Sequence, residues 1–163
     1  MSEPQSSSRP SADRRPFPWS EPGILVGVDG SAAALTALRY AVDIAPKLGH
    51  PVHALVVWDY PTLEWSDGVG WYYPGTYASL EGAAEEIASD AASSVFPSDT
   101  PDWFSSSTMN GRAARELVDA SKDAAMLVVG TRGHGELTGL LLGSVSAACA
   151  AHAHCPVLIV RND

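Results

Sequence analysis

Short, continuous apolar runs separated by helical stretches constrain this chain more than any other feature. GILVGV (Gly23–Val28), VHALVVW (Val52–Trp58), MLVVG (Met126–Gly130) and PVLIVR (Pro156–Arg161) show no polar alternation. A run of that length and character marks a strand covered on both faces. WFSSSTM (Trp103–Met109) is a weaker strand because of its serines. Between these runs the apolar period changes. Leu35, Leu38, Val42 and Ala45 recur at helical spacing in Ala32–Leu48, behind turn and N-cap residues Asp29, Gly30 and Ser31. Pro46 and Gly49 blur the end of that helix. Further helices are predicted over Tyr77–Val95, Arg112–Lys122 and Ser144–Ala153. The order β-α-β-α-β-α-β-α-β, with right-handed crossovers, gives an α/β fold: a doubly wound parallel sheet with helices on both faces.

The flanks bound the function. Residues 1–21 hold prolines, serines and the arginines Arg9, Arg14 and Arg15, with no apolar period. Such a segment buries too little surface to offset its ordering entropy, so it reads as a flexible tail ahead of a domain over 22–163. It is either a solvated extension or an interaction or phosphorylation segment. The chain carries a formal charge of −9, which argues against a broad basic face for nucleic acid or an anionic membrane. There is no apolar run of about 18 residues to span a bilayer. Two cysteines cannot build a disulfide framework, and nothing near Met1 reads as a secretory signal, so a cytoplasmic setting is expected.

In an open doubly wound sheet, ligands bind beyond the carboxyl ends of the strands, where the strand order reverses. Two features fall at such ends: Val28-Asp29-Gly30-Ser31, and the stretch TRGHGELTGLLLGS (Thr131–Ser144) following Gly130. Its glycines admit a ligand close to the backbone. The helix beginning near Gly143 and Ser144 offers first-turn N–H groups and a positive dipole end. That combination suits phosphate. The alternative is a connection that merely turns the chain, with Ser144 as N-cap and Asp29 as a turn or cap residue. No GxxxxGK[ST] occurs, so no lysine reaches the outer phosphates, and no GxGxxG follows the first strand, which disfavours dinucleotides.

The stretch resembles the nucleotide-binding branch of the universal stress protein family, whose members carry G-x2-G-x9-G-[ST] at this place. Here the pattern is Gly130, Thr131-Arg132, Gly133, His134 to Leu142, then Gly143-Ser144. The flanking LVVGTRGHG and LLGSVS…HCPVLIVR, and the opening ILVGVDGS, agree with it. The resemblance spans about residues 22–163. It implies a Rossmann-like, five-stranded parallel sheet of order 3-2-1-4-5 that binds ATP. Asp29 would lie near the ribose, and the backbone at Val57 would face the adenine. Gly130, Arg132, Gly133, Gly143, Ser144 and Val145 would line the ribose and phosphate channel. Magnesium would come through phosphate oxygens. One departure is Gly27, where many nucleotide-binding members carry proline. The resemblance also implies a homodimer, with the last strand (Val157, Leu158, Ile159, Val160) pairing across it.

Other chemistry is less specified. His134 and Glu136 are candidate bases or plain solvated loop side chains, since neither has a specified partner. His152, His154 and Cys155, with Cys149 nearby, complete no metal-ligand set of known spacing. They also fall opposite the expected ligand side. Residues 59–75 form a long aromatic connection, and Trp58, Tyr60, Trp65, Trp71, Tyr72 and Tyr73 either cover a ligand or partner or pack on the sheet edge. The expected function is a nucleotide-dependent stress regulator rather than an enzyme. Its rivals are a slow ATPase or adenylate hydrolase on the same fold, and a homodimeric interaction scaffold with a vestigial pocket.

Overall fold

The computed structural model describes residues 18, 21–59, 74–133 and 142–161, with the backbone alone for 74–77. Most of the expected tail and of the aromatic connection, including Tyr60, Trp65, Trp71, Tyr72 and Tyr73, lies outside these residues, as do His134 and Glu136. The elements are β1 (Ile24–Val28), α1 (Ala32–Leu48), β2 (Val52–Trp58), α2 (Pro74–Val95), β3 (Phe104–Asn110), α3 (Ala113–Ala120), β4 (Met126–Gly130), α4 (Ser144–His152) and β5 (Val157–Val160). The strands form one parallel sheet of five in the order β3-β2-β1-β4-β5.

Strand parity divides the core into two layers. Even-numbered strand residues such as Ile24, Val26, Val52, Ala54, Val56 and Val128 pack with Ala37, Leu38 and Ala41 of α1 and Ala84, Ala88 and Ala91 of α2. Odd-numbered Leu25, Leu55, Leu127 and Val129 pack with Leu117 and Ala120 of α3 and Cys149 of α4. Both faces are therefore apolar, which is why the sequence shows runs rather than alternation. The alanine stripes let α1 and α2 approach the sheet closely.

Boundaries differ from expectation where local chemistry intervenes. Helix α1 runs through Pro46, and Gly49 ends it in the left-handed conformation at φ 68°. Gly49 N–H and His50 N–H both donate to Ala45 O, the latter at 3.2 Å, and this closes the last turn. Helix α2 begins at Pro74 rather than Tyr77, in keeping with the preference of proline for a first helical position. Helix α3 stops at Ala120, and a single 3-10 turn, Ser121–Asp123, replaces the expected last turn. There the Ser121 hydroxyl donates to Val118 O at 2.6 Å.

The strand order turns at β1. The chain moves outward through β2 to β3, then returns to lay β4 on the other side of β1. The β1–β4 pairing ends at Val26↔Val128, before either strand does. The last residues of both strands part, and this opens a crevice at the reversal point.

Candidate functional site

The crevice is a cleft of about 480 Å³ lined from β1, β2, β4, α3 and the start of α4, a size ordinary for small-molecule sites. It has an apolar half and a polar half. Leu55 and Val57 of β2, Val129 of β4, and Ala113 and Leu117 of α3 line the first. Ala113 and Leu117 share one face of α3 because they stand four residues apart. Asp29, Arg132, Gly133, Gly143, Ser144, Val145 and Ser146 line the second, with Gly130 between the two. The residues expected to hold a nucleotide, Asp29, Val57, Gly130, Arg132, Gly133, Gly143, Ser144 and Val145, thus all fall on this one cleft. The rest of the apolar half, apart from Val57, and Ser146 were not anticipated.

Asp29 is half-buried and fixed by its own turn. Its Oδ1 accepts from Ser31 N–H at 2.9 Å, and Gly30 takes φ 82° between them. The N-cap of α1 is Ser31, whose Oγ accepts from Ala34 N–H at 3.2 Å. Asp29 is therefore a turn residue whose second oxygen is directed elsewhere. A Cβ on Gly133 would run onto Asp29 Oδ2, so the glycine is what lets that carboxylate lie along the channel. Gly130 is equally constrained, since a Cβ there would sit 2.8 Å from the backbone carbon and oxygen of Ala33. The first turn of α1 packs directly on the end of β4.

The α4 end is organised by main chain. Gly143, not Ser144, is the N-cap, and no side chain caps the helix. Ser144 is its first helical residue and is exposed. Gly143 N–H donates to Thr131 O at 2.8 Å, and buried Ser146 donates through Oγ to Thr131 O and Gly143 O at 2.9 and 3.0 Å. These bonds pin together the two ends of the glycine-rich segment. They also hold the helix N-terminus, with its orphan donors and positive dipole end, toward the cleft. Ser146 is the buried polar residue of α4, between exposed Ser144 and a run of alanines, a signal that the sequence alone does not separate from its neighbour.

Val57 is placed by register. Pro51 O accepts from Ile24 N–H, so odd positions of β2 turn their peptide groups toward β1. Val52 N–H donates to Trp103 O, and Trp58 O accepts from Gly111 N–H, so even positions face β3. The β1 register ends at Val28↔Val56. Val57 therefore presents main-chain polar groups at the end of β1, beside an apolar wall.

The histidine and cysteine residues considered as metal ligands occupy the other end of the sheet, where α4 leads into β5. His154 N–H donates to Ser121 Oγ at 2.8 Å. Burial, and then the neighbouring Cys155, pushes the Cys149 thiol up to about 11, and burial also raises Cys155. Neither is a ready thiolate at neutral pH. Trp58, the described member of the aromatic group, packs against the α1/α2 core layer.

The fold and the cleft together define a doubly wound α/β domain with a ligand crevice at the reversal point of its sheet. The family model described as the universal stress protein family matches residues 23–161. Universal stress protein Rv2623 of Mycobacterium tuberculosis is 33% identical over 144 residues, covering 86% of this chain and 48% of that protein. The chain thus spans about half the length of the curated relatives it matches. A universal stress protein solved in complex with cAMP superposes with a TM-score of 0.65 at 22% identity, covering 89% of this chain and 100% of that one. The universal stress protein of Archaeoglobus fulgidus in complex with dAMP gives 0.57 at 24%, covering 85% and 97%. The chain belongs to the universal stress protein family.

Proposed function

We propose that this chain is a nucleotide-dependent regulator that holds ATP in the cleft between β1 and β4, and that it does not act as a metabolic enzyme. The observation that carries the reading is the division of the cleft. An apolar half fit for a flat base joins a glycine-walled half ending at the uncapped N-terminus of α4. A base bearing an exocyclic amine can donate to the main chain of Val57, and a carboxylate such as Asp29 can accept from ribose hydroxyls. First-turn N–H groups at Ser144 and Val145, with the Arg132 guanidinium, suit phosphates, while Gly143, whose own N–H is bound to Thr131 O, leaves room for them at the cap. ATP, when bound, supplies charge and a binding-linked change of state. Magnesium would ride on its phosphate oxygens.

Among the described residues the titratable side chains lining the cleft are Asp29 and Arg132, while the candidate bases His134 and Glu136 lie outside those residues. Asp29 is already engaged in its turn, and in-line hydrolysis needs a residue that positions and activates water. The related complexes with cAMP and dAMP support an adenine nucleotide as ligand. We assign the domain to residues 22–163, with 1–21 as a tail, and place the protein in the cytoplasm, consistent with its free thiols.

We further propose a homodimer through β5. That strand ends the sheet, and Val157, Leu158, Ile159 and Val160 are all half-buried, an apolar edge of the kind proteins cover. Ile159→Pro, which removes a ladder donor, should shift the chain toward monomer in sedimentation velocity. An unchanged dimer would exclude that pairing.

Calorimetric titration with ATP and magnesium tests the main reading. Saturable binding is expected, together with its loss when Gly143→Val sets a branched side chain on the cleft wall at the start of α4. Absence of binding in the folded wild-type chain would leave the scaffold reading in its place.

A further inference from the structure

The apolar half of the cleft contains an interlock between β1 and α3. Gly27 lies in the middle of the sheet, paired with Leu55, and both Gly27 and Leu117 line the cleft. A methyl group added to Gly27 would lie 2.9 Å from Leu117 Cδ1, 3.4 Å from Leu117 Cδ2 and 3.3 Å from Val129 Cγ1. Carbon atoms pack best at about 3.5–4.0 Å, so Leu117 occupies the space that a β-carbon would otherwise fill. Leu117 is 3% exposed. Its side chain is thus sunk into the sheet at the one place where the strand has no side chain.

We propose that Leu117, seated in the notch left by Gly27, sets the depth of the base-holding half of the cleft and so determines which ring systems it accepts. This rests on the nucleotide-binding reading given above. At Gly27 the β1 strand is held by β2 through the Gly27↔Leu55 pair, and Val129 Cγ1 backs the added methyl at 3.3 Å, although the ladder with β4 ends at Val26↔Val128. Leu117, on the short helix α3, is the movable partner. Filling the notch drives its side chain toward the volume that a base would occupy. Emptying the Leu117 position deepens the same volume. Ala113, one turn earlier, is too small to compensate.

The test is a double-mutant cycle on the full chain, with ATP affinity measured by calorimetry and thermal unfolding followed in parallel. Gly27→Ala should weaken ATP by about tenfold or more, the scale at which overpacking acts. Adding Leu117→Ala to it should restore most of that affinity, which two independent losses would not do. Leu117→Ala alone should bind at least one adenine nucleotide with a bulky 2-, 6- or 8-substituent more tightly than wild type does. That selectivity readout would not move if Leu117 were only a core residue, and it holds even if Gly27→Ala does not fold. Additive losses in the cycle, or no analogue gained by Leu117→Ala, would overturn the proposal. Absence of ATP binding by the wild-type chain would overturn this proposal and the nucleotide reading together, whereas binding without coupling would overturn this one alone.

Discussion

The two ends of the sheet are built from the same strands and differ in almost everything else. At the amino ends the connections are stitched across the sheet. Ala125 N–H donates to Gly23 O, Leu127 N–H to Pro156 O, and His154 N–H to Ser121 Oγ. At the carboxyl ends β1 and β4 part, glycines replace side chains, and a helix N-terminus without a side-chain cap faces the gap. The residue types most often associated with chemistry, His53, His154, Cys149 and Cys155, gather near the closed end. The open end is walled by apolar side chains on one half and by glycines and a helix N-terminus on the other. In this fold, the end that leaves main-chain donors exposed and the end where reactive side chains accumulate are different places.

That contrast can be broken most sharply at Gly130. Gly130→Val places a branched side chain against the Ala33 backbone, already 2.8 Å from a bare Cβ. We expect ATP affinity to fall by about a thousandfold, equivalent to about 4 kcal/mol. The accompanying stability cost should be about 1–3 kcal/mol, typical of overpacking. Calorimetry with denaturant unfolding separates the two. A folded variant with wild-type affinity would mean the open end is not the site.

The closed end should control stability instead, and His53 is its largest lever. It is 1% exposed in β2, with Ser105 Oγ 2.6 Å from Nδ1 and Ser107 Oγ 2.9 Å from Nε2. Burial lowers its pKa from 6.5 to about 4. Between those values the unfolded chain binds more protons than the folded one, so stability rises with pH. The contribution is complete above pH 6.5 and lost as pH falls through 4. The full effect is about 3 kcal/mol. Denaturant midpoints from pH 7.5 to 4 should fall more steeply for the wild type than for His53→Gln, and parallel curves would remove His53 from the account.

A smaller effect is expected at Ser121, which is 0% exposed and both donates to Val118 O and accepts from His154 N–H. Ser121→Ala removes the acceptor of that N–H and the bond to Val118 O, at a cost of about 0.5–1.5 kcal/mol. For a domain of this size each kcal/mol lowers the melting temperature by about 2–4 °C. ATP affinity should stay within about twofold. A large loss of binding would show that the two ends are coupled.

The open end was largely legible in the sequence because its determinants are local. Strand ends, turn residues and glycines occur within a few positions of one another, and Asp29, Gly130, Gly133 and Gly143 follow from that pattern. The notch was not legible. Gly27 and Leu117 are far apart in the chain, and nothing near either residue indicates that one fills the space the other leaves. Ser121 and Ser146 were passed over because a serine in or just beyond a helix looks neutral until its tertiary partner is known, the His154 N–H for the one and Thr131 O for the other. The shift of the cap from Ser144 to Gly143 has a similar origin. Composition favours serine at an N-cap, whereas the bond from Gly143 N–H to Thr131 O fixes where the helix begins.

The most direct test of the central claim, that the open end holds adenine nucleotide without turning it over, is one measurement on freshly purified chain. The protein is denatured, the released nucleotide is identified and quantified per chain, and a parallel native sample is followed for phosphate release from added ATP. The account predicts an adenine nucleotide in the extract or on reloading, with negligible phosphate release over many binding lifetimes. Rapid hydrolysis, or a folded chain that neither carries nor accepts nucleotide, would contradict it.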